Sequence, residues 1–162
     1  MAGKKHSTGT PATLALEAAG VPFTLHAYEH DPRVTNFGLE AAEALGFSPE
    51  QVFKTLMVQL TDGMAVGIVP VSGSLDLKAV AGALGQKKAA MADPAAAQRR
   101  TGYVLGGISP LGQRNPSPTV LDDSAFGHAT ILVSGGRRGL DVELAPEDLE
   151  RLTGAVRAAI RA

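Results

Sequence analysis

The stretch Val52-Phe53-Lys54-Thr55-Leu56-Met57-Val58-Gln59-Leu60 constrains this chain more than any other. It is rich in residues that favour extended backbone, and Thr61-Asp62-Gly63 separates it from a second apolar run, Ala65 to Val71. An Asp-Gly pair between two such runs predicts a β-hairpin, so the two strands should lie antiparallel. Side chains alternate across a strand, which puts Lys54 on the face of Leu56, Val58 and Leu60. A lysine at the head of an apolar face has two outcomes. It snorkels to water along its butyl stem, or it stands in the floor of a pocket. The pattern alone leaves both open.

The flanking segments supply helices and further strands. Thr10-Pro11 predicts a capped helix start and Gly20 its end. In Phe23 to Tyr28, the residues Phe23, Leu25 and Ala27 form the expected apolar face, with His26, Tyr28 and His30 opposite. Thr35 or Asn36 caps a helix expected over Leu39 to Leu45, and Gly46 stops it. Leu77, Val80, Ala81 and Leu84 recur at one-face spacing behind a cap at Asp76 or Ser74, with Gly85 as the end, and Asp93-Pro94 opens another helix that Gly102 closes. Strands are expected at Thr119 to Leu121, Ala129 to Val133 and Leu140 to Leu144, with a tight turn over Ser134 to Gly139. In the last strand Leu140, Val142 and Leu144 point inward, which leaves Asp141 and Glu143 as solvated carboxylates. A closing helix from Pro146 carries Leu149, Leu152 and Val156 on one face. Hairpins interspersed with helices predict an α+β fold around a mixed, mostly antiparallel sheet.

Composition narrows the function classes. The 162 residues suit one domain with a real core, expected over 10–162, behind a disordered leader over 1–9. A formal net charge of -1 creates no global field toward nucleic acid or anionic membrane, so any RNA contact must be local. There is no cysteine, hence no disulfide frame, thiolate zinc site or protein thiol nucleophile. No stretch approaches the apolar run of about 20 residues that spans a bilayer, and the polar N-terminal residues lack a signal-peptide core. A cytoplasmic protein is expected. Few aromatics and no Trp argue against a stacking platform for single strands.

Candidate chemistry is sparse. Gly106-Gly107-Ile108-Ser109-Pro110 can be an ordinary Gly/Pro turn, or a cradle in which main-chain N–H groups converge on an anion or carbonyl. No Gly-x-Ser-x-Gly elbow occurs. His26 and His30 share a strand face, but spacing indicates no third ligand, so a surface pair is the better reading than a metal site. No cofactor and no metal are expected. The basic pairs Lys87-Lys88, Arg99-Arg100 and Arg137-Arg138, with Arg114, read singly as solvated surface or, jointly with Lys54, as a phosphate-holding rim.

Taken in order, Tyr28-Glu29-His30-Asp31-Pro32, Thr35-Asn36-Phe37-Gly38, Val52 to Leu56, Ser74 to Lys78, Met91 to Pro94, Thr101-Gly102-Tyr103, Gly106 to Gln113 and Ser134 to Asp141 resemble the YbaK-type Cys-tRNA(Pro) deacylases. The likeness runs from about residue 12 to about residue 160. It implies a strongly curved, barrel-like sheet with surrounding helices. It also implies a trans-editing enzyme that clears cysteine from tRNA(Pro), related to the editing domain of prolyl-tRNA synthetases, which removes alanine. By motif position it puts Lys54, Gly106, Gly107 and Asp141 in the catalytic group, and Tyr28, Phe37, Thr55 and Ser134 in contact with substrate.

The implied mechanism explains the missing nucleophile. The substrate's own sulfur attacks its ester carbonyl, Lys54 stabilises negative charge, and the Gly106 and Gly107 amides contact the carbonyl or ribose. The implied partners are the aminoacyl-tRNA 3′ end and prolyl-tRNA synthetase, with no membrane. Two other readings stay open: deacylation of Ala-tRNA(Pro) or another mischarged tRNA, and a non-catalytic module that binds tRNA ends or a synthetase.

Overall fold

A computed structural model describes residues 9–162, so the expected leader lies outside the described residues except for Gly9. The first helix, α1 (Pro11–Ala19), starts as anticipated. The Thr10 side chain accepts the Thr13 N–H, and Gly20 ends the helix in the left-handed conformation. The other helices are α2 (Phe37–Leu45), α3 (Leu77–Ala83), α4 (Pro94–Thr101) and α5 (Pro146–Thr153). Asn36, Asp76 and Asp93 cap three of them through side-chain oxygens. Each accepts an N–H that the first helical turn would otherwise leave unpaired.

The strands are β1 (Thr24–Ala27), β2 (Phe53–Leu60), β3 (Gly63–Pro70), β4 (Ala90–Met91), β5 (Thr119–Asp122), β6 (Ile131–Arg137), β7 (Leu140–Leu144) and β8 (Val156–Ala158). They form two sheets, a three-stranded β1-β7-β6 and a five-stranded β4-β2-β3-β5-β8. The hairpin expected at Asp62-Gly63 is present, and β2 pairs antiparallel with β3 from Phe53↔Pro70 to Leu60↔Gly63. β5 and β8 then add in parallel. A parallel bridge between Val52 and Leu132 joins the sheets, which do not close into a barrel among the described residues.

Alternation along β2 sorts the core as the sequence requires. Phe53 and Met57, with Val66 and Ile68 across the hairpin, face the main core, which β6, β7, α1 and α5 complete. Leu56, Val58 and Leu60 face a second core under α3, closed by Ile160. Each fully buried Leu or Ile here contributes about 1.5–3 kcal/mol. A third, smaller cluster lies beneath α2, where Ala41 and Ala42 cover Val52, Val71 and Leu132. α2 approaches this closely because Gly38 has no side chain; a Cβ there would run into Val71.

Three sequence expectations are corrected. The closing helix stops at Gly154, which is left-handed (φ 67°), and Val156 lies in β8 with its side chain exposed. Gly135-Gly136 is no tight turn but a bulge inside β6: Ser134 pairs with Asp141, Arg137 pairs with Leu140, and the two glycines have no partners. In β1, Leu25 and Ala27 are exposed, while His26 and Tyr28 turn to the covered side. There Tyr28 packs on the third cluster and His26 sits edge-on to Phe47.

The C-terminal segment is held by main-chain bonds, Asp76 N–H to Ile160 O (2.7 Å) and Ala162 N–H to Ser74 O (2.8 Å), and by one buried side chain. Asp122 is buried, and its Oδ1 accepts the N–H groups of Ile160 (2.9 Å) and Arg161 (3.1 Å), while Oδ2 accepts the Ser124 N–H and hydroxyl. Asp122→Ala removes the acceptor of the buried Ile160 N–H and of three part-buried donors at once, and should cost about 2–4 kcal/mol. Urea unfolding followed by circular dichroism measures this, and a loss below about 1 kcal/mol would contradict the role given to Asp122.

Candidate active site

A cavity of about 430 Å³, within the range of small-molecule sites, opens where β2 begins. Val52 to Leu56 of β2 form one wall, and Thr35 to Gly38 at the start of α2 form another. Leu105, Gly106 and Ile108 line it from the loop after α4; Tyr28, Ser134 and Asp141 line it from the smaller sheet.

Strand register explains why a cavity sits there. The Val71 N–H donates to Val52 O (2.8 Å), so even-numbered residues of β2 bond to β3 and odd-numbered ones point the other way. Along that other edge, Leu132 N–H donates to Gln51 O and Ala92 N–H donates to Met57 O, each at 3.1 Å. Between these two ties no strand pairs with β2, since β4 reaches only Val58 and Gln59. The Thr55 N–H and C=O therefore face an open sheet edge. The Thr55 hydroxyl is buried and has no partner among the described residues. Strand side chains on both faces, Lys54 and Thr55, reach the cavity because it wraps this edge.

Two unpaired charges share the cavity. Lys54 is partly buried, burial holds its ammonium below the usual lysine pKa, and no carboxylate forms an ion pair with it among the described residues. Asp141 is only 6% exposed, and its carboxyl is pushed up to about 7 by burial. The expectation of a solvated carboxylate fails for Asp141 because α2 and the chain leading into it cover the second face of the small sheet. Tyr28 also lines the cavity, its hydroxyl raised to about 12 by burial and then by the Asp141 charge. The Ser134 Oγ accepts the Gly136 N–H (3.2 Å), a bond that the bulge creates.

The mouth is assembled around Phe37. Gly106 is left-handed (φ 82°), and a Cβ on it would meet the Phe37 ring at 2.8 Å. Arg138 lies over the same ring, 4.8 Å from its centroid, and its Nε donates to Leu105 O (2.8 Å). One guanidinium thus ties the β6–β7 turn to both walls of the opening. Gly107 is a correction. Its N–H donates to Val104 O (2.9 Å), and a Cβ would collide with the Arg137 backbone, so it packs the loop against the turn and does not line the cavity.

The remaining sequence candidates disperse. His26 Nε2 bonds Glu143 (2.8 Å) and His30 Nδ1 bonds Glu40 (2.7 Å), so the pair is split between two carboxylates, half-buried instead of free on the surface. No group of three potential metal ligands occurs among the described residues. Arg100 is bonded to Ser117 and Pro116, away from the cavity, so of the proposed basic rim only Lys54 and Arg138 touch its walls. Thr35, Asn36 and Ile108, which stand in the quoted motifs but were not among the expected site residues, also line the cavity, as does Leu105, which only its adjacency to Gly106 signals. No helix among the described residues is long and apolar enough to cross a membrane.

Fold and cavity together define a small α+β domain that presents an unpaired lysine, an unpaired acid and a glycine-shaped mouth to a ligand. The chain belongs to the aminoacyl-tRNA editing domain family, whose profile matches residues 33–152. It is 38% identical over 155 residues, 94% of this chain and 93% of the relative, to EbsC of Enterococcus faecalis (strain ATCC 700802 / V583), named as a candidate Cys-tRNA(Pro)/Cys-tRNA(Cys) deacylase. A solved candidate trans-editing enzyme for prolyl-tRNA synthetase superposes with a TM-score of 0.80 at 27% identity, covering 94% of this chain and 95% of that one. The hypothetical protein APE2540 superposes with a TM-score of 0.84 at 25% identity, over 94% and 100%.

The Asp141 carboxyl has a measurable signature in stability. Its folded value, about 7, lies above its ordinary 3.8, so folding favours the protonated form. That contribution is complete below about pH 4 and is lost as pH rises through about 7. Asp141→Asn should therefore stabilise the fold at pH 8 by on the order of a few kcal/mol, with little effect at pH 4. Thermal melts across that range test it; parallel curves for both proteins would show that Asp141 is not buried unpaired.

Proposed function

We propose that this protein is a deacylase of mischarged tRNA whose preferred substrate is Cys-tRNA(Pro). The observation that carries the reading is the Lys54 ammonium, unpaired in a cavity bordered by Gly106, in a chain of the editing family without a cysteine of its own. The names of EbsC and of the prolyl trans-editing neighbour support cysteine and tRNA(Pro).

The reaction needs no protein nucleophile. The substrate thiolate attacks the carbonyl carbon of its own ester, forming a sulfur–carbon bond. The carbon–oxygen bond to the terminal ribose breaks, and the proton that left the thiol ends on the ribose oxygen. The products are a cyclic thiolactone and free tRNA. Holding sulfur and carbonyl together can supply about 7–11 kcal/mol of the barrier in ideal geometry. A cysteine thiol titrates near 8.5 in water, and the Lys54 ammonium favours its thiolate and the oxyanion that follows. A general-base role for Lys54 is disfavoured because lysine ordinarily titrates at about 10.4; burial shifts Lys54 downward from there. Phe37, Tyr28 and Ile108 exclude water around the ester; Thr55 offers main-chain groups along the open edge; the Gly106 N–H has no acceptor among the described residues and suits the carbonyl or ribose.

With a net charge of -1 the domain holds tRNA weakly, which favours acting beside prolyl-tRNA synthetase in the cytoplasm. Purified protein should deacylate Cys-tRNA(Pro) well above the buffer rate and leave Pro-tRNA(Pro) intact, with Ala-tRNA(Pro) measured alongside. Lys54→Ala should lower kcat/KM by about 10²–10³-fold with an unchanged circular dichroism spectrum. Lys54→Met, which keeps the stem, should lose as much; an active Lys54→Met would assign the stem, and not the charge, to the chemistry.

A further inference from the structure

Acidic side chains near the cavity satisfy themselves with one exception. Glu40 accepts the His30 ring nitrogen (2.7 Å) and the Asp31 N–H (2.8 Å). Glu143 takes His26 (2.8 Å) and the Thr130 hydroxyl (2.6 Å), and Asp122 takes the donors described above. Asp141 is more buried than Glu40 or Glu143, yet no hydrogen bond or ion pair reaches its carboxyl among the described residues, and desolvation is the sole influence on its titration. A buried carboxylate without a donor is costly, and nothing in the packing requires one at this position. It lines the cavity, as do Tyr28, just after β1, Ser134 of β6 and, at the β2 wall, Lys54. The fold keeps acceptor and cation in one hollow without letting them pair. A ligand that satisfies both carries a positive donor group at one end and develops negative charge at the other.

Resting on the deacylase reading, we propose that Asp141 receives the free α-ammonium of the aminoacyl group, so that the cavity accepts aminoacyl esters with an unblocked amine and rejects N-acylated ones. An ammonium offers several charged donors to a carboxylate; an amide keeps one neutral N–H and brings a carbonyl oxygen that repels it. The consequence is a filter: formylated and peptidyl esters on tRNA are spared whatever their side chain. The same contact orients the ester, since the Cα substituents fix which face of the carbonyl turns toward Lys54.

The test uses three esters on tRNA(Pro), each rate divided by its spontaneous rate in buffer: cysteinyl, N-acetylcysteinyl and 3-mercaptopropionyl. The last lacks the amine, keeps the thiol and fits wherever cysteine fits, so it separates charge recognition from bulk. Wild type should prefer the cysteinyl ester over both others by about ten- to a hundredfold, the scale of one charged hydrogen bond. Asp141→Asn, isosteric and neutral, should act on all three within a few-fold of one another; a merely structural Asp141 would lower all three rates and keep their ratios. Wild type that turns over the mercaptopropionyl ester as well as the cysteinyl one overturns the proposal and leaves the deacylase reading standing, as does a variant with wild-type ratios. Wild type inactive on all three overturns both.

Discussion

Everything at the site follows from how the edge of one strand is, and is not, paired. β2 has its full length satisfied by β3 on one side, whereas the opposite edge is tied by Leu132 of β6 at Gln51, just before the strand, and from Met57 to Gln59 by Ala92 and β4. Backbone groups at an open edge must find donors and acceptors elsewhere, in water or in a ligand. Here the gap is roofed by α2 and the Gly106 loop instead of by another strand, and the result is a lined hollow with main-chain polarity along its floor. The Val52–Leu132 bridge matters beyond its single residue pair, because it joins the sheet that carries Asp141 and Ser134 to the start of β2.

Glycine governs how closely the roof approaches. Gly38 lets α2 rest on Val71 and against the stem of Lys54, and Gly106 lets the loop lie flat on the Phe37 ring. These are two different demands. Gly38 is needed for space alone, whereas Gly106 is needed for both space and a left-handed φ, which costs a side-chain-bearing residue about 1–2 kcal/mol. Arg138 finishes the assembly, because a single side chain contacts Phe37 and Leu105 and thereby links three separate chain segments at the opening.

The legible part of this arrangement was local. Caps at Thr10, Asn36, Asp76 and Asp93, the Asp62-Gly63 hairpin and the face shared by Lys54, Leu56, Val58 and Leu60 depend on neighbours in sequence, and all appear as expected. Lys54 itself was ambiguous between water and pocket until α2 was known to lie over it. Asp141 could not be read, because alternation gives its face correctly but cannot say that a distant helix covers that face. Gly135-Gly136 has the composition of a turn, and only pairing across to Leu140 and Asp141 shows a bulge. Gly107 looked equivalent to Gly106 in the motif, yet its N–H is consumed within the loop by Val104. Val156 followed helical spacing, but Gly154 ended the helix before that spacing could be used.

Lys54, partly buried, and Asp141, buried, carry a physical tension that an ordinary core would not hold. Bringing Lys54 and Asp141 together would relieve both, and side-chain rotation is a small barrier compared with desolvation. They line the cavity from different strands, Lys54 from β2 and Asp141 from β7, and no ion pair joins them among the described residues. Such a site is destabilising for the fold and favourable for a ligand with matching charges, since the electrostatic cost is incurred on folding and recovered on binding. The same logic fits a chain that supplies no nucleophile: where the reacting sulfur belongs to the substrate, the protein's contribution reduces to orientation and charge, and those are the two properties its unpaired groups retain.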